Sequence, residues 1–215
     1  MFAVIGLGNP GSRYAHTRHN VGFRVLGEFA RSCEKTGADL RWQSKFGTNF
    51  LRTKWQQTSC LLVLPQNYMN CSGEACALLL RYFTIEAQEG LVVHDDLDLA
   101  PGTLRIRRGG SAAGHRGVAS LIQNLGTADF MRVRVGIGHP RSLLSPEILS
   151  QRNEEDLVTD WVLGVPSQAE HVLLEQAEAR AVQAIGEILE KGLASAQRVF
   201  NRSDEQAVED EKRGS

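Results

Sequence analysis

His19 ends a polar run, Asn9-Pro10-Gly11-Ser12-Arg13-Tyr14-Ala15-His16-Thr17-Arg18-His19. A neutral imidazole there can take a proton from water near neutral pH. Asp95, in His94-Asp95-Asp96-Leu97-Asp98, can hold the other ring nitrogen and stabilise the imidazolium that forms. Asn9 and Asn70 offer N–H donors to a carbonyl oxygen becoming an oxyanion, and C=O acceptors to orient water or a substrate amide; backbone N–H groups are equal candidates for the oxyanion donors. The chain has no serine in a G-x-S-x-G elbow and no cysteine beside a loop histidine, so covalent catalysis is not indicated. What remains suits direct hydrolysis by activated water. Each residue also has an ordinary use. Asn9 could be a turn residue, His19 could satisfy backbone groups near a cap, and Asp95 could cap a helix or bind an arginine. His16, His115, His139 and His171 read as structural or solvated.

The elements place these residues. Residues 2–7 are apolar and read as a central strand. Asn20 is a good N-cap for a helix presenting Val21, Val25, Phe29 and Cys33 at four-residue spacing, with Gly37 as its stop. Strands are expected over 46–53, 59–64, 90–94, 103–107 and 131–137, the last two with arginines outward and apolar residues inward. Helices are expected over 73–83, with Leu79, Tyr82 and Phe83 inward, and over 117–125. The capping box Ser167-Gln168-Ala169-Glu170 opens a long helix with Leu173, Ala177, Ala181, Ile185 and Leu189 on one stripe. Residues 139–153 read as irregular. This order indicates one α/β domain over 1–200, a mixed twisted sheet flanked by helices, followed by a disordered charged tail over 201–215. Ligands of such sheets sit at the carboxyl ends of strands. Asn9, His19, Tyr68-Met69-Asn70 and Asp95 all fall there.

The same opening stretch contains Gly6-Leu7-Gly8-Asn9-Pro10-Gly11, a G-x-G-x-x-G match. In a dinucleotide fold the third glycine enters the helix whose N-terminus receives the pyrophosphate, and an acid ends the next strand. Here the first credible helix begins near Val21 and Glu28 falls inside it, so a nicotinamide or flavin reading fails on context. His94, Asp95, Asp96 and Asp98 could hold a divalent metal through hard oxygens. Neighbouring side chains at a strand end point opposite ways, however, and no second ligand set is placed. Cys33, Cys60, Cys71 and Cys76 form no C-x-x-C pair and read as reduced, buried thiols.

The chain has 215 residues, 42% hydrophobic and 23% charged, with net charge −1. A bulk nucleic-acid binder is not expected from that total, but the charge is segregated. Residues 101–141 hold seven arginines against one acid, and residues 151–200 hold nine acids against four bases. Such asymmetry suits a local basic face for a polyanion on an otherwise acidic surface. Solvated strand and loop arginines would give the same counts. No apolar run is long enough to cross a bilayer, and no basic, cleavable leader precedes the first strand. A cytoplasmic protein is expected.

Four stretches carry a resemblance: GLGNPGSRYAHTRHNVGF at 6–23, PQNYMNCSGEA at 65–75, VVHDDLDLAPGTLRIRRGGSAAGHRG at 92–117 and MRVRVGIGHP at 131–140. In this order and spacing the chain resembles the bacterial-type peptidyl-tRNA hydrolase family, over most of residues 2–165. The resemblance implies a compact, usually monomeric α/β enzyme cleaving the ester between a peptide and the 3′ ribose of tRNA, with no metal, cofactor, membrane or obligate protein partner. It implies His19 as base, Asp95 as its orienting partner and Asn9 as a reader of the blocked N-terminus. Tyr14, Tyr68, Met69 and Asn70 would line the cleft, and Arg105, Arg107, Arg132 and Arg134 would contact tRNA phosphates. One position departs: Arg116 stands where the family commonly has asparagine. Arginine cannot accept a hydrogen bond, so it would hold a phosphate or the terminal ribose region instead. Two rival classes are a non-catalytic RNA-binding relative and a nucleotide-cofactor oxidoreductase.

Overall fold

A computed structural model of the chain describes residues 1–34, 40–143, 145, 149 and 152–201. Seven strands form one mixed sheet in the order β2-β3-β4-β1-β5-β7-β6. They are β1 (Phe2–Gly6), β2 (Gln43–Lys45), β3 (Thr48–Trp55), β4 (Thr58–Pro65), β5 (Gly90–Asp96), β6 (Leu104–Arg108) and β7 (Met131–Gly136). The central strands β4, β1, β5 and β7 run parallel, while β2, β3 and β6 are antiparallel to their neighbours. The helices are α1 (Val21–Glu34), α2 (Ser72–Tyr82), α3 (Arg116–Leu125), α4 (Pro140–Leu143), α5 (Glu154–Leu163), α6 (Gln168–Lys191) and α7 (Leu193–Phe200).

Alternate residues of the central strands feed two cores. Val4, Leu62, Val93 and Val133 pack with α1, α6 and α7. Ala3, Ile5, Val63 and Val92 pack with α2 and α3. Both faces are therefore covered, as continuous apolar parallel strands require. From β1 the chain goes to β4 on one side and later to β5 on the other. This topological switch opens a crevice at the carboxyl end of β1.

Several expectations change. Asn20 does not cap α1; it ends a 3-10 turn, Arg18–Asn20, that runs into the helix. The expected stop at Gly37 and the tail after Asn201 lie outside the described residues. Tyr82 is 58% exposed rather than inward. On α6 the buried stripe begins at Leu174, and Leu173 is exposed. Residues 139–153 include α4, while β2, α5 and α7 were not anticipated. Arg132 does not point to solvent. It is 1% exposed, and its guanidinium donates to the carbonyls of Ser111 at 2.7 Å and Gly110 at 2.6 Å.

Candidate active site

The crevice is a cavity of about 640 Å³ lined by Asn9, Tyr14, His19, Tyr68, Met69, Asn70, Asp95 and Arg116 among others. Three of the four parallel strands send a segment to it. β1 ends at Gly6, and its chain continues to Asn9; β4 leads to Tyr68–Asn70; β5 ends in Asp95 and Asp96.

The glycines of the first turn serve packing. A methyl at Gly6 would lie 2.4 Å from the Gly22 carbonyl oxygen, and one at Gly8 would lie 2.6 Å from the Phe23 ring. They let α1 cross close over the end of β1. α1 begins only at Val21, so the glycine turn does not run directly into an α-helix as a dinucleotide cradle does.

Asn9 is 7% exposed and held on three sides. Its side-chain oxygen accepts from the Met69 N–H at 2.9 Å, its own N–H donates to Asn20 Oδ1 at 2.9 Å, and its carbonyl accepts from Asn20 Nδ2 at 2.9 Å. With Oδ1 facing Met69, the Asn9 amide N–H₂ is the group left for a ligand. The role of Asn20 is thus to clamp the backbone of Asn9.

His19 is buried and Asp95 lies beneath it. Nδ1 sits 2.9 and 3.0 Å from the two Asp95 oxygens. An ionised carboxylate only accepts, so Nδ1 carries the proton. Nε2, which takes no protein partner among the described residues, is left with its lone pair. Asp95 also accepts from His115 Nε2 at 3.0 Å. His115 Nδ1 accepts from the Gly117 and Val118 N–H groups, capping α3. That cap fixes the His115 proton on Nε2, aimed at Asp95. Burial alone would raise the Asp95 pKa, but the imidazoles of His19 and His115, through attraction and hydrogen bonds, hold it well below the usual carboxylate range. Beside it, burial and repulsion from His115 push His94 well below the ordinary histidine range, which keeps that ring neutral.

His19, Asp95 and His115 offer three donor atoms within 4.8 Å of one another, a spacing that could hold a metal. Two of those atoms carry the protons that bond Asp95, so a metal would have to replace both. Of the acids after His94, Asp96 accepts from Arg134 Nε at 2.6 Å and from the Asp98 N–H at 3.0 Å.

Arg116 stands at the cleft mouth, 2.9 Å from Glu155 on α5. The same helix supplies Val158, Val162 and Leu163 as an apolar wall, with Thr159 among them. Arg105, Arg107, Arg132 and Arg134 do not line the cavity. They lie on β6 and β7, where Arg105 faces Arg134 and Arg107 faces Arg132 across the ladder. Because Arg132 is sealed under the Gly110-Ser111 backbone, it has no face for an external phosphate. Its pKa is drawn down to about 10 by burial and by Arg107 and Arg134, and it remains charged at neutral pH. In the sequence His115 reads only as structural or solvated, although Gly114-His115 ahead of a helix is a capping position. Nor does the sequence mark a role for Arg18, because its partners lie more than 140 residues away.

A profile described as peptidyl-tRNA hydrolase matches residues 3–209. The peptidyl-tRNA hydrolase of Syntrophomonas wolfei is 39% identical over 201 residues, covering 94% of this chain and all of that protein. That of Bacillus subtilis is 38% identical, covering 94% of this chain and 98% of its own. The solved peptidyl-tRNA hydrolase of Acinetobacter baumannii aligns with TM-score 0.80 at 31% identity, over 94% of each chain. Sequence and fold thus agree over nearly the full length, and the chain belongs to the peptidyl-tRNA hydrolase family.

Proposed function

We propose that this hydrolase cleaves the ester joining an N-blocked peptide to the 3′ end of tRNA, with His19 as general base. The observation that carries the reading is the Asp95-bound tautomer of His19, with Nδ1–H on the carboxylate and Nε2 free at the cavity. Nε2 takes a proton from water as the water oxygen bonds to the ester carbonyl carbon. The imidazolium, steadied by Asp95, then gives that proton to the departing 3′ oxygen. The Asn9 amide N–H₂ suits the carbonyl of the first peptide bond. A free aminoacyl ester has an ammonium there instead, so the contact favours blocked substrates. Asn70 at the lip orients substrate and water, and Tyr14, Tyr68 and Met69 shape the cleft. No cofactor or metal enters this scheme. Among the described residues no helix is long and apolar enough to span a membrane, and we place the enzyme in the cytoplasm as a monomer without an obligate protein partner.

The test is hydrolysis of N-acetyl-aminoacyl-tRNA beside free aminoacyl-tRNA. The first should be cleaved and the second spared. His19→Ala should lose at least about 100-fold in kcat while tRNA affinity stays within twofold. Unchanged turnover in that variant would remove His19 as base, and binding without cleavage by the parent would mark an RNA-binding relative.

A further inference from the structure

Arg18 is a buried cation that this mechanism does not use. It is 5% exposed and directly precedes the base. Its backbone N–H donates to the Gly164 carbonyl at 3.1 Å. Its Nη1 donates to the Trp161 carbonyl at 3.2 Å, and its Nη2 donates to both Glu170 oxygens at 2.9 Å. The guanidinium carbon lies 3.8 Å over the Trp161 ring.

Each partner is itself fixed. Glu170 accepts from the Ser167 N–H at 2.8 Å within the α6 capping box. The Trp161 indole N–H donates to the Gly138 carbonyl at 2.9 Å. Gly164 leaves space for the cation, since a methyl there would lie 3.1 Å from Nη1. Burying such a charge brings little net stability. It brings geometry: the turn carrying His19 is tied to the same α5 that walls the cleft with Val158 and Val162.

We propose that Arg18, Trp161 and Glu170 form a strut that fixes the His19 turn to the cleft wall, so that Arg18 and Glu170 are positioning residues setting turnover rather than substrate binding. The kinetic side rests on His19 being the base.

The test is Glu170→Gln in steady-state hydrolysis of N-acetyl-aminoacyl-tRNA, together with amide hydrogen exchange at His19 and Asn20. Glutamine keeps an acceptor for the Ser167 N–H but removes the negative charge that faces Arg18. We expect kcat to fall about tenfold with KM within twofold, because small misplacement of a catalytic group costs rate and not affinity. Exchange at the two amides should quicken about tenfold. Ser167→Ala, which loosens the cap but leaves the Glu170 carboxylate on Arg18, should leave kcat within twofold. An unchanged kcat in Glu170→Gln, or an equal loss in Ser167→Ala, overturns the strut as a determinant of rate. Unchanged exchange overturns it whether or not the protein hydrolyses this substrate. Absence of hydrolysis by the parent counts against the proposed function, and the exchange measurement still decides the strut.

Discussion

At the scale of single residues, Asp95 is where the site is decided. One buried carboxylate accepts N–H groups from two histidines, and neither can turn away. His115 is committed by its cap on α3, and His19 must present Nε2 to the cleft. Asp95→Asn keeps the volume but offers one acceptor oxygen and an N–H₂ that faces another donor. Either His19 takes the wrong tautomer or the cap is lost. We expect kcat to fall by about 10²- to 10⁴-fold, as for an orienting carboxylate in a histidine-based hydrolase. A single-turnover assay with a melting curve checks this, and a drop under tenfold with unchanged stability would remove Asp95 from that role. The carboxylate also makes stability depend on pH. Its folded pKa lies below its ordinary value, so below about pH 4 the unfolded chain binds the proton that the native chain resists. The stabilisation is complete above that range and is lost as pH falls through it. Urea melts from pH 3 to 7 should show the acid loss in the parent and a flatter acid limb in Asp95→Asn.

Elements position these residues through close approach, and two glycines of α1 test it. A methyl at Gly22 would lie 2.4 Å from the Val93 carbonyl oxygen and 2.5 Å from the Leu7 amide nitrogen, all backbone, whereas one at Gly27 meets nothing within 4 Å. Gly22→Ala should destabilise by about 1–3 kcal/mol, and Gly27→Ala should stabilise by about 0.5–1 kcal/mol through the unfolded chain. Denaturant midpoints measure both, and equal effects would deny that α1 is packed against the end of β1. The apolar runs of β1, β4 and β5 and the four-residue spacing of α1 made these elements legible in the sequence. Asn9, His19, Asn70 and Asp95 were legible as a set because strand ends are where such folds bind ligands. Period-2 alternation misled at Arg132: with both faces of the sheet covered, the residue opposite a buried valine need not reach water. Asn153 followed by Glu154, Glu155 and Asp156 was a helix start whose acids counted only as charge. The clamp of Asn20 on Asn9 and the strut from Arg18 to Glu170 are pairings set by the packed fold, and no local pattern announces them.

At the scale of the whole molecule, charge segregation becomes a ladder of arginines. Arg105 opposite Arg134 and Arg107 opposite Arg132 should repel across the strands. Two of the four are compensated from within, Arg134 by Asp96 and Arg132 by the carbonyls of Gly110 and Ser111. Arg105 is hydrogen-bonded to the Asn201 carbonyl, and Arg107 reaches the Ser111 carbonyl at 3.4 Å. Among the described residues neither has a carboxylate partner. We propose a polyanion as the countercharge for these two, which would divide the phosphate footprint expected of all four arginines. Arg107→Ala should weaken tRNA binding and reduce the log–log salt slope by about 0.7–0.9, the release of roughly one counterion. Arg132→Met should leave the slope unchanged and cost about 1–3 kcal/mol of stability, because it strands buried carbonyls. Binding isotherms at several salt concentrations, with melting curves on the same samples, separate the two outcomes. A slope lowered by Arg132→Met and unmoved by Arg107→Ala would reverse the division. The basic face would then work through its buried arginine, and the half-buried Arg105 and Arg107 of β6 would have no part in holding the substrate.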